Sequence, residues 1–155
     1  MRTVVGVDPG PVPGIAVLSW EPGGKPTWRV YQVAASSPSL VYEETRRLLD
    51  RWLAQEGVSL AAESYVVSAR SARTADRRAQ QTTNDLAALL RHAGARMRPP
   101  SEVKPWATDA RLKASGADIL QQMRHARDAA RHALYSACRD RGLPDPLSRA
   151  YRSLK

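Results

Sequence analysis

Cysteine, acidic residues and long apolar runs are all scarce in this chain of 155 residues. The single cysteine, Cys138, excludes a disulfide framework and a cysteine-based zinc cluster. No apolar run approaches the roughly 20 residues that a membrane-spanning helix needs. The chain begins directly with the pattern of a strand and not with that of a signal peptide. We therefore expect a cytoplasmic protein that has no contact with a membrane.

Basic residues outnumber acidic ones, with 24 Lys and Arg against 15 Asp and Glu and a formal net charge of +9. The excess is confined to the later part of the chain, because residues 1–65 have a net charge of −1 whereas 66–104 and 105–155 each have +5. Arginine exceeds lysine by twenty to four, and guanidinium forks suit bidentate contacts with phosphate. A GC-rich genome would explain arginine in place of lysine but not the net charge, so we expect a nucleic acid as partner.

The hydropathy pattern predicts strands and helices in the order β-β-β-α-β-α-β-α. Short turns join the first three strands into an antiparallel meander, and the fourth strand is expected to lie parallel to the first because a helix precedes it. The predicted fold class is therefore α/β, with a mixed five-stranded sheet flanked by helices. The strands are expected at 3–8, 14–20, 27–33, 59–67 and 95–98, and the helices at 41–53, 75–93 and 121–139, with Ser39 as the cap of the first helix. The folded domain is expected to span 1–142, followed by a loose basic tail over 143–155.

Three acidic residues lie where a metal site would need them. Asp8 ends the first strand at a Pro/Gly turn, although a hairpin with a solvated turn aspartate explains this position equally well. Glu63 is flanked by apolar residues in a predicted buried strand, where a charge is costly unless it is paired or bound to a cation. A salt bridge from Glu63 to an arginine is the alternative. Asp128 lies early in the last helix, so two strands and one helix supply the carboxylates that a magnesium-dependent nuclease requires.

The last helix also has two histidines near its acid. Its small apolar residues form one stripe, and His125, Asp128 and His132 lie together on the other side of the helical wheel. This arrangement is compatible with a shared cleft and equally with a solvated helix face.

The order of the elements and four short motifs resemble RuvC-type Holliday junction resolvases, especially the compact forms found in phages. The likeness covers about residues 3–138. It implies a ribonuclease H-like fold and an endonuclease that cuts four-way or other branched DNA with two magnesium ions, for which manganese would substitute. The motifs are Val5-Gly6-Val7-Asp8-Pro9-Gly10, the strand end at Ala62-Glu63, Pro100-Ser101-Glu102-Val103-Lys104 and His125-Ala126-Arg127-Asp128-Ala129.

The resemblance implies roles for particular residues. Asp8 is expected to be shared by both metal ions, with Glu63 and Asp128 as further ligands. Many relatives have Asp-x-x-Asp in the last helix where this chain has His125-x-x-Asp128, and a neutral imidazole can bind a metal or position water. We favour His125 over His132 for this fourth role. Lys104 corresponds to a position at which the resembled family has a basic residue close to the scissile phosphate. It is therefore expected to take part in catalysis.

The resemblance and the charge pattern also predict the contacts with DNA. Like charges this dense are unfavourable without a counter-charge, so a phosphate backbone is the expected partner of the arginines after the fourth strand. A junction with approximate two-fold symmetry suits a homodimer. Leu86, Leu89 and Leu90 would serve as its interface or simply as core. The expected DNA-binding residues are Arg70, Arg73, Arg77, Arg78, Lys104 and Lys113.

Two other functions remain open from the sequence. One is a ribonuclease H-like nuclease that acts on RNA. The other is a junction-binding protein without catalysis, because a histidine in place of an aspartate can mark decayed chemistry. In either case the expected location is the cytoplasm of a bacterium or of a phage-infected host.

Overall fold

A mixed five-stranded sheet lies at the centre of the computed structural model, which describes residues 1–64, 77–119 and 121–155. The strands are β1 (Arg2–Asp8), β2 (Gly14–Trp20), β3 (Thr27–Gln32), β4 (Val58–Glu63) and β5 (Arg96–Arg98). The helices are α1 (Pro38–Leu53), α2 (Arg77–His92), α3 (Pro100–Val103), α4 (Asp109–Ala114), α5 (Arg124–Arg141) and α6 (Arg149–Arg152).

The sheet has the order β3-β2-β1-β4-β5, which places β1 in the middle. Tight turns make β1 antiparallel to β2 and β2 antiparallel to β3. The crossover through α1 brings β4 parallel to β1, and β5 lies parallel to β4. The predicted fold class, with its three antiparallel strands followed by parallel ones, is confirmed.

Successive side chains of β1 point to opposite faces of the sheet and belong to two hydrophobic cores, one on each face. Val4 belongs to the core under α5, together with the alanine stripe of that helix. Val5 and Val7 belong to the core under α1 and α2. Leu86 and Leu90 of α2 are buried in this second core and Leu89 is half-buried against it, so packing within the chain accounts for all three.

Helix α5 lies unusually close to the sheet. A Cβ atom added at Gly6 would fall on the carbonyl oxygen of Ala129, and one added at Gly14 would fall on that of His125. Only glycine allows the helix backbone to approach the strands this closely. The small side chains of α5 complete the contact, and the first turns of the helix therefore lie directly over the ends of β1 and β2.

Element boundaries differ from the expectations by a few residues. Ser37 rather than Ser39 caps α1, since its hydroxyl accepts a hydrogen bond from Leu40 N at 3.3 Å. Strand β4 ends at Glu63. The expected strand residues 65–67 and helix residues 75–76 lie outside the described residues. In the part of the chain that is described, no helix combines the length and apolar character needed to cross a membrane.

Residues 143–155 differ from the loose tail that the sequence suggested. Leu143 and Tyr151 are buried in the core under α5. Asp145 accepts two hydrogen bonds from the guanidinium of Arg111, each 3.0 Å long. Lys155 N donates to Gly23 O at 3.1 Å. The segment is docked by single apolar anchors and by contacts with distant residues, neither of which produces a periodic pattern in the sequence.

Candidate active site

Two acids meet where the central parallel strands end. Val7 is the register partner of Ala62, so Asp8 and Glu63 follow side by side at the same edge of the sheet. Asp8 is only 6% exposed. The two carboxyl groups share a hydrogen bond. Their closeness is a direct result of the parallel pairing of β1 and β4.

Burial and mutual repulsion raise the proton affinity of this pair. Burial is the main reason that the pKa of Asp8 is raised to about 6. The hydrogen bond with Glu63 opposes this rise, and the charge of Asp128 adds to it. Burial, followed by the hydrogen bond and charge of Asp8 and the charge of Asp128, raises the pKa of Glu63 to about 8. The pair thus keeps one proton at neutral pH, and Glu63 donates it towards Asp8.

Helix α5 brings a histidine to the same pair. His125 Nδ1 lies 3.2 Å from Asp8 Oδ2. Burial, and next the charge of Arg124, lower the pKa of His125, so the ring is neutral at neutral pH. An ionised Asp8 can only accept, and the contact therefore assigns the ring proton to Nδ1 and leaves a lone pair on Nε2.

Asp128 lies one turn beyond His125 and completes an acidic cluster, which we define as Asp8, Glu63 and Asp128. Its charge acts on the pKa of both other acids. Lys104 Nζ lies 3.7 Å from Asp128 Oδ1, and Arg131 Nε lies 3.9 Å from the same atom. These separations are long for hydrogen bonds and Lys104 is 51% exposed, so the two cations stabilise the cluster only weakly.

His132 does not join the cluster. It is 2% exposed, and its Nε2 has no hydrogen-bond partner among the described residues. Burial, assisted by the charges of Arg98 and Lys104, lowers the pKa of His132 to about 4. Of the two histidines that the helical wheel grouped with Asp128, the structure brings His125 to the acids and buries His132 as a neutral ring.

The residues predicted to bind DNA are spread more widely. Lys104 lies at the cluster, and Lys113 lies on the exposed side of α4. Arg77 and Arg78 are exposed at the start of α2. Arg70 and Arg73 lie outside the described residues.

Sequence reasoning missed two residues beside the cluster. Arg131 hydrogen bonds Asp109 Oδ1 at 2.6 Å and also Ala107 O, so it links α4 to α5 next to Asp128. The sequence contained one signal for Arg131, because a residue three positions after Asp128 lies on the same face of a helix. Gln32 accepts hydrogen bonds from the start of α5, a contact across 93 residues that no local pattern indicates.

The donor atoms of the cluster suit a hard divalent cation. Among residues 1–64, 77–119 and 121–155, no group of three or more His, Cys, Asp or Glu side chains is arranged as it stands to hold a metal ion. Asp8 contacts both Glu63 and His125, and the carboxyl pair retains a proton. Three carboxyl groups held together against their own repulsion are nevertheless the oxygen donors that Mg²⁺ prefers. The residues therefore fit such an ion once the shared proton is released.

Comparison with solved structures agrees with the topology. The mixed five-stranded sheet flanked by helices matches the ribonuclease H-like fold. Within that class the fold is RuvC-like. Thermus thermophilus RuvC matches with a TM-score of 0.61 and 18% identity, over 90% of this chain and 96% of that chain. The same protein in complex with a Holliday junction substrate matches with a TM-score of 0.59 and 19% identity, over the same shares. No protein-family model and no curated protein matches the chain.

Proposed function

We propose that this protein is a magnesium-dependent endonuclease that cleaves phosphodiester bonds in four-way or other branched DNA. The observation that carries the proposal is the acidic cluster, because Asp8, Glu63 and Asp128 come from three distant segments and converge beside His125. The likeness in fold to a RuvC solved with a Holliday junction substrate supports branched DNA as the substrate class. The net charge of +9 supports a polyanionic substrate of any shape.

The chemistry divides between metal and protein. Asp8, Glu63, Asp128 and His125 would hold Mg²⁺, which when bound activates water and stabilises charge on the phosphate. Asp8 lies between Glu63 and His125 and is suited to be the shared ligand. Glu63 must give up its proton before it can bind a cation. Lys104, exposed at the edge of the cluster, is suited to hold the scissile phosphate.

Further DNA contacts and assembly are part of the proposal. Lys113 and the exposed Arg77 and Arg78 would bind the phosphate backbone away from the cut. Two symmetric cuts in a four-way junction require two sites, so we propose that the protein acts as a homodimer.

The deciding experiment is cleavage of a synthetic four-way junction, with linear duplex DNA and structured RNA as competing substrates. We expect nicking of the junction with Mg²⁺ or Mn²⁺ and none with chelator. Asp8→Asn should retain junction binding and reduce cleavage by at least about 10³-fold, since it removes the shared carboxylate. Asp50→Asn is the matched control, because Asp50 is an exposed carboxylate on α1.

Two outcomes would favour the alternatives. Preferential cleavage of RNA would assign a ribonuclease with the same fold. Tight junction binding by the wild type with no cleavage at any Mg²⁺ or Mn²⁺ concentration would assign a non-catalytic junction-binding protein.

A further inference from the structure

Helix α5, which carries His125 and Asp128, begins without a cap of its own. Met123 precedes the helix with φ −93° and ψ 53°, and it makes no side-chain capping hydrogen bond. The first amides of a helix have no acceptor within the helix and need one from elsewhere. An uncapped start would fray at the turn that contains His125.

Gln32, the last residue of β3, supplies that acceptor. Its side-chain Oε1 accepts from His125 N at 2.9 Å and from Ala126 N at 3.2 Å. One amide oxygen thus satisfies two consecutive N–H groups of the first turn. The cap comes from β3, which β2 separates from β1, and it connects the start of the helix to the sheet.

The strand register explains why this position matters. Asp8 is the register partner of Gly14, and Gly14 is the register partner of Gln32. These three residues form one row across β1, β2 and β3. At its centre, Gly14 leaves room for the carbonyl of His125, and at its end Gln32 accepts from the N–H of the same residue. The row therefore binds the N–H of His125 through Gln32 and leaves space for its carbonyl at Gly14, while the His125 side chain contacts Asp8.

We propose that Gln32 is a positioning residue, whose side-chain oxygen fixes the first turn of α5 so that His125 and Asp128 stay beside Asp8, where they would help to hold a metal ion. The inference rests on the proposed function for its metal and deepens it by naming a residue that is not among the proposed ligands of metal or DNA. Residues behind the ligands of a metal commonly alter affinity or activity by about 10–100-fold.

Three variants test the role. Gln32→Met keeps the length of the side chain but removes the oxygen, and Gln32→Glu keeps an acceptor. Gln55→Met is the matched control, since Gln55 hydrogen bonds Arg51 O at the end of α1 and has no link to the cluster. Hydrogen exchange at the His125 and Ala126 amides, Mg²⁺ affinity by calorimetry, and kcat and KM on the junction are measured for each.

We expect Gln32→Met to speed exchange at both amides, to weaken Mg²⁺ binding about tenfold, and to lower kcat with KM unchanged. Gln32→Glu should retain slow exchange and most of the affinity, and Gln55→Met should match the wild type. Unchanged exchange or unchanged Mg²⁺ affinity in Gln32→Met would overturn the inference and leave the proposed function intact. A wild type that binds Mg²⁺ but does not cut would refute the proposed function alone, whereas a wild type that binds no Mg²⁺ would refute both.

Discussion

The proton shared by Asp8 and Glu63 links the site to the stability of the fold. In the unfolded chain Glu63 has an ordinary pKa near 4.5, whereas burial and the neighbouring acids raise its folded pKa to about 8. Above pH 4.5 the folded state therefore retains a proton that the unfolded chain has released. The stability that this proton contributes is fully present below pH 4.5 and is lost as the pH rises through about 8.

We accordingly predict that the metal-free protein becomes less stable between pH 6.5 and 8.5. The free energy of unfolding should fall by about 1–2 kcal/mol, a value discounted because Glu63 is partly exposed. Saturating Mg²⁺ should abolish the fall, because a cation then replaces the proton. Urea unfolding at several pH values, with chelator or with Mg²⁺, measures both effects.

Glu63→Gln is the control for this titration, since an amide keeps the shape of the side chain and does not ionise. Its stability should vary little over the same pH range. A wild-type protein that gains stability with rising pH in the presence of chelator would contradict the assignment of the proton to the acidic pair.

The positions of the three acids were predictable because each of them lies at a recognisable place in a strand or helix. Asp8 closes a strand at a Pro/Gly turn, Glu63 ends an apolar run, and Asp128 lies on the side of α5 opposite the alanine stripe. Gln32 gave no such signal, since a glutamine at a strand end is ordinary in composition. Its role arises from a register and a helix position that exist only in the folded chain.

Helix α5 is the element on which the site depends, and it is fixed near both ends. Gln32 holds its first turn, and Gly14 allows that turn to lie close to the sheet. Near its other end, Asp140 accepts two hydrogen bonds from Arg98 of β5, at 2.9 and 2.8 Å. The hydrogen bonds from Arg98 hold the pKa of Asp140 below its usual range, so the pair stays ionised. A helix held at two points can carry His125 and Asp128 at a constant height above β1.

The close approach of α5 leads to a prediction for Gly14. In Gly14→Ala the new methyl group would overlap the His125 carbonyl, so the helix start must move away from the sheet. We expect a loss of about 1–3 kcal/mol in unfolding free energy and a fall in junction cleavage larger than the fall in junction binding. Urea unfolding and single-turnover cleavage measure the two effects.

Gly10→Ala is the matched control, because a Cβ at Gly10 meets no atom within 4 Å. It lies in the same β1–β2 turn region but should change stability by no more than about 0.5 kcal/mol. Equal behaviour of the two variants would show that the helix tolerates displacement and that its height above the sheet is unimportant.

The periodicity of apolar residues predicted the helices and strands well, but it predicted the contacts between them poorly. The alanine stripe indicated that α5 packs closely on the sheet, and the helix before β4 indicated its parallel direction. Capping by Ser37 instead of Ser39 was not predictable, because either hydroxyl precedes the same apolar pattern. The docking of residues 143–155 depends on Leu143 and Tyr151 filling space under α5, which becomes visible only when the core is assembled.

A concavity with basic side chains lies beside α4. A concavity of about 700 Å³ is lined by Lys25, Lys113 and Arg152, and none of its described lining residues is acidic. Lys113 also lines an adjoining concavity of about 620 Å³, whose lining includes Arg127 together with the acidic Asp109 and Asp118. The basic concavity of Lys25, Lys113 and Arg152 lies beside the docked C-terminal segment, and its charge suits contact with a phosphate backbone.

Lys113 lines both concavities, and its replacement tests whether a phosphate is bound beside α4. Each phosphate contact adds about one to the slope of log affinity against log salt. Lys113→Gln should therefore weaken junction binding in chelator and lower that slope by about one. Fluorescence anisotropy over a series of salt concentrations measures both values.

Arg46→Gln is the control for charge alone, since Arg46 lies on α1, which packs on the opposite face of the sheet. Both variants lower the net charge by one, so a general attraction between a basic protein and DNA would weaken equally in each. A selective loss in Lys113→Gln requires a phosphate held at that position. Identical slopes for the two variants would mean that DNA does not cross α4, and the route of the strand would then have to be sought along α2, where Arg77 and Arg78 are exposed.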